Sequence, residues 1–316
     1  MMRVLVTGAT GQVGGALARA AVPDGIELIT VGRDRLDLGR PGTIDGALDS
    51  IRPSVVVNPA AYTAVDKAET EPELARAVNE EGPAALAAAC SMRGIGLLHL
   101  STDYVFDGTG TRPYRPDDPV APLGVYGATK QAGEHAIRQV LEDYLILRTA
   151  WVYAARGQNF VNTMLRVGAD RDVLRVVGDQ HGTPTAAVDI ASAILALLTA
   201  RRDGAVITGI HHYTAEGETS WHGLAEAIFT RAEAHWGRRP TVEPITTDQY
   251  PTPAARPAYS VLDNSSLVAA AAVPRRPWQK ALNAVLDDRL GPRPANSGTS
   301  AGPGILANSA IWEGTQ

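Results

Sequence analysis

Short apolar runs alternate with longer helix-like stretches through the N-terminal half of the chain. The runs at 3–7 (Arg-Val-Leu-Val-Thr), 27–31, 54–58, 96–100 and 144–149 lack an inside–outside alternation. Near-continuous apolar runs of this length mark parallel strands buried on both faces. Helical stretches at 15–20 and 73–93, and one around 126–130, separate them. Strands that alternate with helices wind by right-handed crossovers into one parallel sheet. The pattern therefore predicts an α/β chain whose residues 1–150 form a Rossmann-like, doubly wound domain. A further apolar run at 173–177 and an apolar helix at 188–200 are expected to return to it, within 172–202. Beyond 203 the alternation lapses: 207–213 is strand-like, and 220–234 has helical periodicity with Leu224, Ile228 and Phe229 on one face. Residues 151–171 and 203–290 are assigned to a smaller, mostly C-terminal substrate-binding lobe. Residues 291–316 form a Gly/Pro/Ser-rich tail, with Trp312 inside it.

The first strand runs into Gly8-Ala9-Thr10-Gly11-Gln12-Val13-Gly14 and then a helix. Glycines at such a turn let backbone amides approach a pyrophosphate at the helix N-terminus. Gly8, Thr10, Gly11, Gln12, Val13 and Gly14 are thus candidate dinucleotide contacts, although the spacing is Gly-x-x-Gly-x-x-Gly. The second strand ends near Arg33, Asp34 and Arg35, a mixed signal at the place where a cofactor's ribose is read. Arg33 favours a 2′-phosphate, so NADPH is preferred, with NADH as the alternative. Asp37 and Leu38 are candidates beside the adenine. Ala60, Ala61 and Tyr62 follow the third strand, where a cofactor would lie against the sheet.

Tyr126 and Lys130 stand one helical turn apart on one face. An ammonium beside a phenol favours the phenolate by roughly 1–3 pKa units, which makes tyrosine useful for passing a proton to an oxygen. Upstream lies Ser101-Thr102-Asp103-Tyr104. His99, inside the fourth strand, reads as a packed core residue. Net charge is −5 with no long basic run, which argues against nucleic acid as a partner. The apolar runs are too short to cross a bilayer, and no leader is visible before the first strand. Cys90, the single cysteine, sits in an alanine-rich run and reads as a small buried hydrophobe in a cytoplasmic protein.

Seven blocks in order give the chain its resemblance to a family. They are the glycine-rich turn 8–14, Asn58 to Glu69, Ser101 to Gly108, Tyr126 to Lys130, Asn159 to Met164, Asp179 to Thr185, and Tyr250 to Pro257. From residue 3 to about 290 the chain resembles the dTDP-4-dehydrorhamnose reductases of the extended short-chain dehydrogenase/reductase superfamily. The resemblance implies reduction of the C4 keto group of a dTDP-linked 4-keto-6-deoxy-L-sugar in deoxysugar-nucleotide biosynthesis. It makes Thr102, Tyr126 and Lys130 the catalytic set, with Tyr126 and Lys130 also touching the cofactor and Ser101 a competing hydroxyl. It places Thr102, Asp103, Tyr104, Trp151 and Asn159 near the sugar and Arg256 near the diphosphate. Related readings are a reductase for an antibiotic sugar such as dTDP-dihydrostreptose, a sugar-nucleotide epimerase or dehydratase, or a non-catalytic NADP-binding regulatory subunit. Some members of the family dimerise through magnesium held by glutamates, one of them just after the glycine-rich turn. Gly15 and Ala16 fill that area here, so no metal is expected, and a monomer or homodimer is. Pro59 departs from the family's usual alanine.

Overall fold

The computed structural model describes residues 1–291, so most of the expected tail, with Trp312, lies outside the described residues. Strands β1 (Met2–Val6), β2 (Ile26–Thr30), β3 (Val55–Asn58), β4 (Gly96–Thr102) and β5 (Tyr144–Thr149) are parallel and ordered β2-β1-β3-β4-β5. Gly209–His212 adds a sixth parallel strand beside β5. Residues alternate across the sheet, and both faces are covered. Val4 and Val6 pack with Val13, Leu17, Ile190 and Ile194, from helix α1 (Gln12–Arg19) and the Ala187–Arg202 helix. Leu5 and Val56 face the other way, against Ile44, Leu48, Leu86 and Ile137. Each such fully buried side chain stabilises the fold by about 1.5–3 kcal/mol. Cys90 belongs to this second layer and is fully buried.

Residues 172–202 divide differently from the expectation. The Ala187–Arg202 helix packs on the main sheet, whereas Val173–Val177 pairs in parallel with Thr241–Ile245. The reason is visible in its burial: Leu174 and Val176 face the core while Val173 and Arg175 are exposed, a one-sided strand unsuited to the middle of a two-sided sheet. That small sheet shares a core with the Phe160–Asp170, Trp221–Trp236 and Trp278–Leu290 helices, through Leu165, Phe229 and Leu282. The strand-like 207–213 segment serves the large sheet instead of the lobe.

The helical stretch at 73–93 is broken by a π-helical turn, Ala77–Glu81. Gly133 of the Val125–Val140 helix seats against it; a Cβ there would lie 2.1 Å from the Asn79 carbonyl. Strand order reverses between β1 and β3, and a crevice opens beyond their carboxyl ends, where open α/β sheets bind ligands.

Candidate active site

A cavity of about 870 Å³ occupies that crevice and continues under the smaller lobe. Its nucleotide end is built by the turn after β1. Gly8 has φ +61, a left-handed backbone, and a Cβ there would crowd Ala60 at 3.1 Å. Gly11 caps α1 without a side chain, leaving the first amides of the helix free to face an anion. Gly8, Thr10, Gly11, Gln12 and Val13 line the cavity, as do Ala60, Ala61, Arg33, Asp37 and Leu38.

Two of the expected cofactor contacts lie elsewhere. Gly14 sits behind the wall, where a Cβ would fall 2.1 Å from the Gly8 carbonyl oxygen; it allows α1 to close on the turn. Tyr62 turns away: its hydroxyl donates to Glu71 at 2.5 Å, and its backbone N–H and C=O are both bonded to the Asn79 side chain.

At the other end β4 delivers Thr102, and the Val125–Val140 helix delivers Tyr126 and Lys130; all three line the cavity. The helix begins at Gly124 without a side-chain cap, and Glu69 supplies the acceptor instead, taking the Val125 N–H at 2.9 Å. Gly127 fixes how closely the helix start approaches β4's end, since a Cβ there would lie 2.1 Å from the Tyr104 carbonyl. Tyr104 and Tyr126 meet edge to face at 5.4 Å. The Thr102 hydroxyl donates to Asp103 Oδ1 at 3.0 Å and accepts from Tyr104 N at 3.2 Å. Lys130, though charged by type, is 1% exposed; its Nζ donates to the Leu100 carbonyl at 2.7 Å and lies 3.1 Å from His99 Nε2.

The profile of the family described as RmlD substrate binding domain matches residues 2–290. The chain belongs to the dTDP-4-dehydrorhamnose reductase family. It is 45% identical to a dTDP-4-dehydrorhamnose reductase of Burkholderia thailandensis, across 92% of this chain and 99% of that one. It is 48% identical to one from Streptomyces griseus, across 89% and 91%. A probable dTDP-4,6-dihydroxy-2-methyloxan-3-one 4-ketoreductase of Streptomyces antibioticus is 42% identical, across 92% and 96%. Among solved structures, the dTDP-4-dehydrorhamnose reductase of Bacillus anthracis, in complex with NADP, superposes with a TM-score of 0.83 at 33% identity. It covers 91% of this chain and 100% of that one.

In this reductase the desolvated Tyr126 phenol is pushed up to about 12, against a downward pull from the Thr102 hydroxyl. Lys130, a helical turn further on, anchors its amine on β4 through the Leu100 carbonyl. Burial brings Lys130 itself down to about 8 and lifts Asp103 to about 6. Three residues of the cavity wall, Ser101, Thr149 and Asp103, each carry a buried polar atom (Oγ, Oγ1 and Oδ2) with no hydrogen-bond partner among the described residues. Orphaned groups of this kind await a polar ligand. With the glycine cradle and the α1 N-terminus, they fit a pyridine dinucleotide and a hydroxylated sugar.

Trp151 lines the cavity and also stacks on Trp221 at 3.6 Å, with Gly182 beneath its ring, so it both walls the site and joins the lobes. Its φ of +49 is strained for a tryptophan and is held by that stack. Asn159 caps the Phe160–Asp170 helix and donates to Gln12 Oε1 at 3.0 Å, tying the lobe to the glycine-rich turn. Arg256 does not line the cavity; its guanidinium forks onto Asp66 at 2.7 and 3.0 Å. Burial opposes ionisation of Asp66, yet Arg256 holds its carboxyl below the usual range. Sequence reading missed Thr149, Arg156 and Trp221 as wall residues. Thr149 was the most accessible of them, since it ends a strand that the pattern did locate.

Proposed function

We propose that this enzyme reduces the C4 keto group of a dTDP-linked 4-keto-6-deoxy-L-sugar, dTDP-4-dehydrorhamnose or a close analogue, with NADPH as the reductant. The observation that carries this reading is the convergence of Thr102, Tyr126 and Lys130 at the lobe end of a cavity whose other end is a glycine-cradled helix N-terminus. Gly8, Thr10, Gly11 and Val13 would hold the pyrophosphate, Asp37 and Leu38 the adenosine, and Ala60 and Ala61 the face against the sheet. Arg33 has no ion-pair or hydrogen-bond partner among the described residues and stands at the end of β2, where a 2′-phosphate would meet it. When bound, the reduced nicotinamide supplies the hydride for C4.

The chain's own residues handle the oxygen. Tyr126 is neutral around pH 7 and gives its proton to the C4 oxygen as negative charge develops there. The Thr102 hydroxyl turns from Asp103 to donate to the same oxygen, from a backbone position fixed at the end of β4. Lys130 lies behind the tyrosine and steadies the phenolate left after transfer. Asp103, Tyr104, Trp151 and Asn159 shape the sugar pocket. Arg256, through its fork to Asp66, holds the 250–257 segment beside the site and is available to a diphosphate only if that fork opens.

A cytoplasmic setting fits this reading, with the lone thiol Cys90 sealed in the core and unreactive, pushed up to about 12 by burial. Incubation with NADPH and dTDP-4-dehydrorhamnose, followed by mass spectrometry and proton NMR, tests the assignment. Gain of two hydrogens with a new proton at C4 supports it. Inversion elsewhere in the ring with no NADPH consumed would favour an epimerase.

A further inference from the structure

Beneath Lys130 runs a fully buried polar chain. The Thr7 hydroxyl donates to Asn58 Oδ1 at 2.5 Å, Asn58 Nδ2 meets His99 Nδ1 at 2.9 Å, and His99 Nε2 meets Lys130 Nζ at 3.1 Å. Thr7, Asn58 and His99 are each 0% exposed. Apolar neighbours would pack here as well, so a polar chain of this length calls for an accounting of donors and acceptors.

An amide nitrogen facing Nδ1 makes Nδ1 the acceptor and puts the imidazole proton on Nε2. The Nε2–H then points at Lys130. A neutral amine accepts it and still donates to Leu100 O. An ammonium has no lone pair, and two N–H groups would oppose each other at 3.1 Å. The ammonium fits only the reversed chain. There the Asn58 amide is turned by half a revolution, His99 Nδ1–H donates to Asn58 Oδ1, Asn58 Nδ2 donates to Thr7, and a bare Nε2 accepts from Lys130. Thr7's hydroxyl can give or take, so both settings close.

We propose that Thr7, Asn58 and His99 are positioning residues whose two hydrogen-bond polarities match the two charge states of Lys130, so that the His99 tautomer and the Asn58 amide turn when the lysine gains or loses its proton. The polar chain gives the buried lysine a matched partner at His99 in either state, and so lets it change charge beside Tyr126 while it stays bonded to the Leu100 carbonyl of β4. Its relevance to turnover rests on the reductase reading, but the coupling itself does not.

Burial keeps the imidazole neutral, which leaves tautomer exchange as its only response. The other charged or titratable groups around the pair are accounted for. Glu134, on the lysine's own helix, is locked to Arg148 of β5 by a buried fork at 2.7 and 2.9 Å. Tyr126 and Tyr104 remain neutral phenols around pH 7, and Asp103 bonds Thr102. On the π-helical turn, Glu80 pairs outward with Arg76, and Glu81 is exposed.

The test is NMR of the full-length protein with isotope-labelled histidine, titrated from neutral to alkaline pH, with His99 assigned from a His99→Gln difference spectrum. We expect the protonated-type nitrogen signal to pass from Nδ1 to Nε2 as pH rises, with no imidazolium stage. The exchange should vanish in Lys130→Met, and Asn58→Asp should hold Nδ1–H at every pH. A single tautomer throughout the wild-type titration overturns the proposal whether or not the variants fold, and so does an exchange that survives Lys130→Met. Absence of turnover on the keto sugar with the exchange intact would sink the reductase reading alone.

Discussion

Gly127→Ala probes how the catalytic groups are held at their spacing. An added Cβ would stand 2.1 Å from the Tyr104 carbonyl oxygen, against a closest tolerated approach of 3.0 Å, and Pro122 Cβ blocks the side at 2.9 Å. Relief therefore needs a shift of about 0.9 Å between the helix start and the segment after β4. Tyr126 is the neighbouring residue on the first, and Thr102, the last residue of β4, leads directly into the second, so the shift falls on their separation. Overpacking of this kind costs about 1–3 kcal/mol of stability, a few degrees in Tm. A misplacement of about 1 Å costs roughly 10²-fold in rate. The pyrophosphate and adenosine of NADPH would be held at the far end of the cavity, so its Kd should change little. The control is Gly46→Ala, a helical glycine with nothing within 4 Å of the added methyl. It should leave kcat unchanged and raise stability by about 0.5–1 kcal/mol. Steady-state kinetics, fluorescence titration with NADPH and thermal melts read these effects. A Gly127→Ala enzyme with wild-type kcat would refute the reasoning, because the tight seat would then not set the Thr102–Tyr126 geometry.

Arg33→Ser should raise KM for NADPH by roughly 10–100-fold, the loss of a charged hydrogen bond worth about 1.5–3 kcal/mol, while leaving KM for NADH near its starting value. Equal losses for both cofactors would remove Arg33 from phosphate recognition. Lys130 has its proton affinity lowered from 10.5 to about 8, so between those values the unfolded chain binds more protons than the folded one. Wild-type stability therefore rises with pH across that window. Lys130→Met lacks this rise, so its Tm relative to wild type should decline from about pH 8 to pH 10.5; a flat difference would contradict the depressed lysine.

The five buried strands of the main sheet and the glycine-rich turn were legible because each is local: a short apolar run, or a turn between a strand and a helix. What escaped depends on partners distant in sequence. Tyr62 follows the third strand as a cofactor contact would, but Asn79, 17 positions on, holds its backbone away. Arg256 has the chemistry of a diphosphate ligand, and Asp66, 190 positions earlier, already occupies its fork. Gly14 belongs to a cofactor motif by spacing, yet its missing side chain serves packing against Gly8. His99 was read rightly as buried, but no local pattern reveals that both of its nitrogens are engaged or by what. The run at 173–177 is as apolar as the sheet strands, and only its exposed Arg175 hinted at a one-sided place in the smaller lobe.

The most direct test of the central claim compares wild type with Tyr126→Phe for NADPH oxidation on dTDP-4-dehydrorhamnose, with NADPH binding measured in parallel. The account predicts turnover by wild type and a loss of roughly 10²–10⁴ in kcat in the variant, with an unchanged Kd for NADPH. A variant that turns over at the wild-type rate would contradict it, and the proton would have to come from another group.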